Sequence, residues 1–286
     1  MSTKGCRFCG TDLRVTFCDL GMTPLSNSFL VEDELQRMEK FYPLHAYVCE
    51  SCLLVQLEKF ESPEQIFTDY AYFSSYSETW LAHAKAYAEQ MVNRLGLSPS
   101  SRVVEIASND GYLLQYFQQA GIPVLGIEPA ENVARVAVSR SIPTLIKFFG
   151  AATARTLASE GISADLLIGN NVLAHVPDLN DFVAGMKILL APSGTISMEF
   201  PHLLRLIAGN QFDTVYHEHF SYFSLTTAVK VFEHHGLSLC DVTELSTHGG
   251  SLRIHARHSE ETGVVSAAVT KLLSQEQDAG LTDVGT

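Results

Sequence analysis

The chain carries Tyr216, His217, Glu218 and His219 in immediate succession. A phenol, two imidazoles and a carboxylate in four residues are groups that take up or release a proton, or steady a developing charge. Neither a buried strand nor a solvated helix face uses that density. Metal ligation is the first alternative. An H-E-x-x-H helix sets two histidine ligands one turn apart, with a glutamate base between them. Here Ser221 stands where the second histidine would be, so the motif fails and proton transfer remains.

A second concentration of chemistry lies at the start of the chain. Cys6/Cys9 and Cys49/Cys52 form two C-x-x-C pairs, with Cys18 and Cys240 left over. Each pair sits in a knuckle-like turn, and two knuckles supply four thiolates for a closed tetrahedral zinc site. Residues 10–48 separate the pairs, a longer insert than the usual about 15–20 residues, so pairing within a knuckle is better specified than pairing across them. A redox dithiol and unrelated buried cysteines are the competing readings, with Cys18 and His45 as spare ligands. A closed thiolate site leaves no open position for water, so the zinc is read as structural.

These groups need a scaffold. The chain has 286 residues, 46% of them apolar, enough for one α/β domain and a smaller module. No apolar run reaches the about 18 residues of a membrane span, and the N-terminus has no secretory pattern; the chain reads as cytoplasmic, with no membrane partner. Its net charge is −13, from 19 Lys plus Arg against 32 Asp plus Glu. That balance argues against nucleic-acid binding, which draws on basic patches.

Residues 79–96 place Leu81, Ala84, Ala88, Met91, Val92 and Leu95 on one helical face. Strand patterns at 102–107, 123–128, 144–146, 165–169 and 194–200 then alternate with helical patterns at 112–120, 132–139, 151–159 and 179–190. This order predicts an α/β fold with a doubly wound parallel sheet. A helix over 225–235 leads to strands over 237–245 and 251–258, an antiparallel pair that closes the sheet. The division is a zinc-binding module at 1–60, an aromatic linker at 61–78, the main domain at 79–260 and a helical tail at 261–286.

In such a sheet ligands bind at the carboxyl ends of the strands, beside a helix N-terminus. The first strand ends Val104-Glu105-Ile106-Ala107-Ser108-Asn109-Asp110-Gly111. Its spacing resembles the acidic, glycine-rich loop of class I S-adenosylmethionine methyltransferases, with only Gly111 kept among the usual glycines. The G-x-G-x-x-G of dinucleotide folds is absent. Glu105, Ala107, Asn109 and Gly111 are the loop's cofactor-binding residues in this reading. Glu128, followed by Pro129, ends the second strand about 20 residues on, where a carboxylate suits ribose hydroxyls. Phe149 stands where adenine is covered, and Asn170 and Asn171 stand where the methyl end lies.

The double C-x-x-C module, EIASNDG, GIEPA, NNVLAHVPD, YHEHFSYFSL and THGGSLR occur together in one order. Together they resemble the zinc-containing sugar C-methyltransferases, over essentially the whole chain. The resemblance implies S-adenosylmethionine as cofactor, a structural Zn²⁺, and methylation of a carbon beside the ketone of a nucleotide-linked keto-deoxysugar. It also implies a further C-terminal Rossmann-like domain that helps to hold the nucleotide-sugar; the chain ends where that domain should begin. For the chemistry, His219 is the leading base and Tyr216 its rival, Glu218 orients His219, and His175 donates to the enolate oxygen. Tyr70, Tyr72 and His248 are the substrate-binding expectations. The alternatives are a small-molecule O- or N-methyltransferase, and an inactive methyltransferase fold serving as a zinc-binding module.

Overall fold

A computed structural model describes residues 4–63, 72–261 and 263–285. Tyr70 lies outside the described residues. The chain opens with the first zinc knuckle and a long hairpin, β1 (Val15–Thr23) and β2 (Tyr42–Val48). The second knuckle and the short β3 (Val55–Leu57) follow. Each knuckle closes on itself: the Gly10 N–H donates to the Cys6 carbonyl and the Leu53 N–H to the Cys49 carbonyl, both at 2.9 Å.

Helix α1 (Glu78–Leu95) starts at Ser77, whose hydroxyl accepts from the Trp80 backbone, and stops at Gly96 in the left-handed region at φ 60°. β4 (Val103–Ile106) is buried along its whole length. Then come α2 (Leu114–Gln119), β5 (Val124–Ile127), α3 (Glu131–Ser139), β6 (Thr144–Leu145) and α4 (Ala151–Ser159). β7 (Ala164–Asn170), α5 (Leu179–Leu189) and β8 (Leu190–Pro201) complete the parallel core.

After a short α6 (Leu203–Ala208) and a turn, β9 (Ser221–Tyr222) precedes α7 (Leu225–His234). β10 (Leu237–Leu245), β11 (Ser251–His258) and α8 (Ala267–Asp278) end the fold.

Among the described residues the main sheet has seven strands, ordered β10-β11-β8-β7-β4-β5-β6. β4 to β8 run parallel, and β11 lies antiparallel between β8 and β10. The order reverses between β4 and β7, the switch point at which such sheets bind ligands. The expected doubly wound sheet and its antiparallel closure are therefore present. β1, β2, β3, α6 and β9 are elements that the periodicity left unread.

The zinc module is not self-contained. Its sheet is ordered β1-β2-β3-β9, and β9 comes from beyond residue 220. Cys6, Cys49, Cys52 and Leu54 are buried in the same apolar core as Phe200 of β8 and Phe182 and Phe232 of the helices α5 and α7. Two residues of main-chain pairing thus join the module to the segment just after the Tyr216-His219 cluster. No helix among the described residues is long and apolar enough to cross a membrane.

Candidate active site

A cleft of about 900 Å³ opens over the switch point. Its first wall is the ends of β4, β5 and β7. Ala107 and Asn109 hold left-handed φ angles of 56° and 50°, so the turn takes a glycine-like path with other residues; such strain collects at functional sites. The Glu128 carboxylate accepts from the Asn109 N–H at 2.9 Å and the Ala130 N–H at 2.8 Å. Burial raises its pKa, and these two donors oppose the rise. Asn109 also accepts from the Ser74 N–H and donates to the Tyr72 carbonyl, each at 3.0 Å. The linker segment at 72–75 therefore clasps the loop. Asp110, wholly buried beneath it, takes the Ser75 hydroxyl and pairs with Arg140.

Ala107, Asn109, Glu128, Pro129, Phe149, Asn170 and Asn171 all line the cleft, as the strand-end reading placed them. Two cofactor expectations do not hold. Glu105 is fully buried and does not reach the cleft wall. Burial, with Glu128 nearby, pushes its carboxyl well above the usual range, and it sits below the loop. Gly111 is also behind the wall. Its φ is 77°, and a Cβ there would stand 2.4 Å from Ile142 Cδ1; the glycine lets the loop turn into α2.

The second wall carries the proton-handling groups. The segment just before β9 is a turn: the His219 N–H donates to the Tyr216 carbonyl at 2.9 Å. The turn brings both side chains to one side, with the Tyr216 hydroxyl 3.0 Å from His219 Nε2. His219 Nδ1 lies 2.9 Å from the Thr214 carbonyl. A carbonyl only accepts, so Nδ1 carries the proton and neutral His219 takes the Tyr216 O–H at Nε2. Burial lowers the His219 pKa to about 4, with His248 adding to the shift. His175, from the turn Leu173–His175, lies edge-on to His219 with ring centroids 4.7 Å apart. Burial and the neighbouring His219 lower its pKa to about 3. Both rings are neutral near pH 7.

Glu218 does not orient His219. Its carboxylate points away from the cleft to Asn27 Nδ2 at 2.7 Å and the Ser26 hydroxyl at 3.5 Å. The turn sends it to the zinc module's loop, and the Thr214 carbonyl takes the orienting place instead. His217 faces the Pro43 carbonyl at 3.2 Å.

A third group closes the cleft, and sequence reasoning missed most of it. Trp80 stacks on His83 at 4.9 Å and on Tyr112 at 6.0 Å, and meets His248 edge-on at 5.5 Å. Behind it, Glu199 is fully buried between Arg253 (2.5 Å), His83 (3.3 Å) and Thr247 (2.9 Å). Burial alone would raise the Glu199 pKa, but those partners hold it below the usual range. The available signal was slight: the chain's one tryptophan, three residues after a Ser cap, with a histidine three residues further on. Tyr72 and His248 line the cleft as expected.

The four cysteines converge. All four Sγ atoms lie within 4.8 Å of one another, with Cys6–Cys52 and Cys9–Cys49 at 3.5 Å. Thiolates about 2.3 Å from a tetrahedral zinc stand roughly 3.8 Å apart, so the set fits the ion. Gln56 Nε2 donates to Cys6 Sγ at 3.1 Å, a partner suited to a thiolate. Cys18 and His45 stand outside the cluster.

S-adenosylmethionine also fits the first wall. Asn170 Oδ1 and Asn171 Oδ1 are buried there without partners, acceptors matched to the α-ammonium group of the cofactor's amino-acid end, and Glu128 is placed for hydroxyls.

Fold and cleft define a class I methyltransferase joined to a four-cysteine module. Residues 6–67 match a zinc binding domain model and residues 80–242 a methyltransferase domain model. The second match covers more than half of the chain, and the protein belongs to this methyltransferase family. It is 37% identical over 276 residues to the C-methyltransferase NovU of Streptomyces niveus, across 96% of this chain and 66% of that relative. The chain thus spans just under two thirds of that relative's length. Among solved structures, the PH0226 protein of Pyrococcus horikoshii shares the fold with a TM-score of 0.53 at 16% identity, over 70% of this chain and 99% of that one. The magnesium protoporphyrin IX methyltransferase of Synechocystis, solved with S-adenosylhomocysteine bound, gives 0.50 at 18%, over 63% and 83%.

Proposed function

We propose that the protein methylates carbon: the position next to the ketone of a nucleotide-linked keto-deoxysugar, with S-adenosylmethionine as donor. The observation that carries this reading is the Tyr216–His219 pair at 3.0 Å, on a cleft shared with Glu128 and Asn171. Methyl transfer to oxygen or nitrogen asks for one base at most. Transfer to carbon asks for a base to take the C–H proton and a donor for the enolate oxygen. One hydrogen bond stores both: the Nε2 lone pair of His219 and the O–H of Tyr216.

In this account the substrate separates the pair. His219 Nε2 takes the carbon-bound proton, and the Thr214 carbonyl steadies the imidazolium through Nδ1. Tyr216 turns its O–H to the ketone oxygen. His175 faces the same oxygen across the gap. Trp80 and His83 wall out water, and His248 and Tyr72 hold the substrate's remaining groups. S-adenosylmethionine supplies the electrophilic methyl group when bound. Zinc between Cys6, Cys9, Cys49 and Cys52 would tie the knuckles and take no part in the reaction. The negative charge and the cleft's shape favour a small ligand over nucleic acid.

The similarity to a named C-methyltransferase supports the reading. Its test is product analysis: the protein, S-adenosylmethionine carrying a ¹³C methyl group, and a panel of nucleotide-linked keto-deoxysugars. The expected product shows the labelled methyl bonded to carbon by NMR. A product labelled only on oxygen or nitrogen overturns it.

A further inference from the structure

The proton-transfer wall consists of two turns that come from distant parts of the chain, one bearing His175 and the other Tyr216 and His219. Their separation decides whether base and donors meet one substrate. Besides the His175–His219 ring contact, the two turns are joined through their backbones, where the Phe220 N–H donates to the Ala174 carbonyl at 2.7 Å. The Phe220 carbonyl then accepts from the Leu57 N–H of β3 at 3.1 Å. What closes this path into a ring is a side chain from the first zinc knuckle. Arg7 Nη1 donates to the Pro177 carbonyl at 2.9 Å, two residues beyond His175, and Arg7 Nη2 donates to the Leu57 carbonyl. Its guanidinium also lies over the Phe220 ring, 5.5 Å from the centroid.

We propose that Arg7 is a positioning residue for proton transfer, fixing the gap between the His175 turn and the Tyr216–His219 turn from within the zinc knuckle. The ring runs Arg7, Pro177, Ala174, Phe220, Leu57 and back to Arg7. Only a fork spans it: two N–H groups in one plane reach two carbonyls on different elements at once. A lysine carries the same charge but a single ammonium, and cannot reproduce that geometry.

The knuckle holds Arg7 in turn. The Arg7 N–H donates to Gln56 Oε1 at 2.9 Å, and the same Gln56 amide donates to Cys6 Sγ at 3.1 Å. Asn180, at the start of α5, donates to the Phe8 carbonyl at 2.9 Å and is itself fixed by His235 at 2.9 Å. The four thiolates thus have a task beyond folding their own module. They hold the knuckle rigid against the loop after β7, so that Arg7 presents its fork at a fixed place. The cofactor wall has no part in this ring.

For its kinetic arm the proposal rests on carbon methylation; its spectroscopic arm does not. Arg7→Lys is compared with the parent protein, both zinc-loaded, by metal content, by S-adenosylmethionine calorimetry, and by ¹⁵N-histidine NMR. His219→Gln identifies the ring signal of His219. The parent shows a slowly exchanging Nδ1–H signal for His219, held by Thr214. In Arg7→Lys, zinc stays at the parent level and S-adenosylmethionine affinity stays within about 2-fold, while the His219 signal broadens or shifts. In turnover, kcat falls about 10- to 100-fold with KM nearly unchanged, the scale of a misplaced catalytic group. Unchanged ring signals and unchanged kcat in Arg7→Lys overturn the proposal. Loss of zinc also overturns it, since Arg7 would then serve the knuckle and not the turns. If the parent fails to methylate any keto-sugar but the ring signals still move, the substrate reading falls and the positioning role stands.

Discussion

The cofactor wall and the proton-transfer wall of the cleft are held in different ways. In the cofactor wall, the holding contacts come from the strand ends themselves and from the segment at 72–75 that precedes α1. Glu128 reaches the Asn109 and Ala130 backbones, and the turn after β4 passes straight into α2. The proton-transfer wall is assembled across the chain. Residues near positions 7, 27, 57, 175 and 220 meet there through backbone carbonyls, one guanidinium and the Asn27 amide on the Glu218 carboxylate. A wall of the first kind binds whatever the sheet's strand ends dictate. A wall of the second kind can change its chemistry without disturbing the sheet, which is how one fold hosts many reactions.

Substitutions on each wall should therefore separate cleanly. The largest effect is expected from His219→Gln: turnover falls about 10²- to 10⁴-fold, the range for a lost general base, while S-adenosylmethionine affinity by calorimetry moves less than about 2-fold. Parallel loss of affinity would merge the two walls. Glu128→Ala should do the reverse. It removes the acceptor of two buried N–H groups, and affinity for the donor should drop about 10- to 100-fold, with turnover at saturating donor largely kept.

Chelating the zinc comes next. Hydrogen exchange should show protection lost in β3 and β9 and in the turns bearing His175 and His219, with β4 and β5 still protected. Equal loss in all of these would mean that the module and the sheet unfold as one unit.

The cofactor wall was also the legible one. The EIASNDG and GIEPA stretches lie next to the strands that place them, so the 3.6 and 2 periodicities located them directly. Within that wall Glu105 and Gly111 were misassigned, because a motif gives sequence position and not which side of a tight turn a side chain takes. The other wall was legible in composition alone. Tyr216, His219 and His175 stood out by type, but the partner of His219 is a backbone carbonyl at Thr214, and backbone carbonyls carry no sequence signal. Glu218 looked like an orienting carboxylate because it adjoins His219. The turn sends it instead to Asn27, about 190 positions away in the chain. β9, two residues long, is too short for any periodicity to show.

Smaller effects follow from the same contrast. His219 is neutral in the folded protein down to about pH 4, whereas an unfolded histidine takes up its proton near pH 6.5. The unfolded chain binds protons first on acidification, so the stability held above pH 6.5 is lost as pH falls from there through about 4. The acid limb of kcat/KM should accordingly sit near pH 4, in a pH-rate profile flat from about 5.5 to 8; a limb near 6.5 would show His219 to be an ordinary exposed imidazole. Last, Glu218→Gln keeps an acceptor for Asn27 and should leave kcat within about 2-fold. An orienting carboxylate would instead cost about 10⁴-fold on amide replacement.

The central claim is that the Tyr216–His219 pair takes a proton from carbon. It is tested most directly without methyl transfer. The protein is incubated in D₂O with S-adenosylhomocysteine and the nucleotide-linked keto-deoxysugar that it methylates. The account predicts deuterium at the carbon beside the ketone with the parent protein, and none above background with His219→Gln. Exchange at the parent rate in His219→Gln, or methylated product from a parent protein that never exchanges that proton, would contradict it.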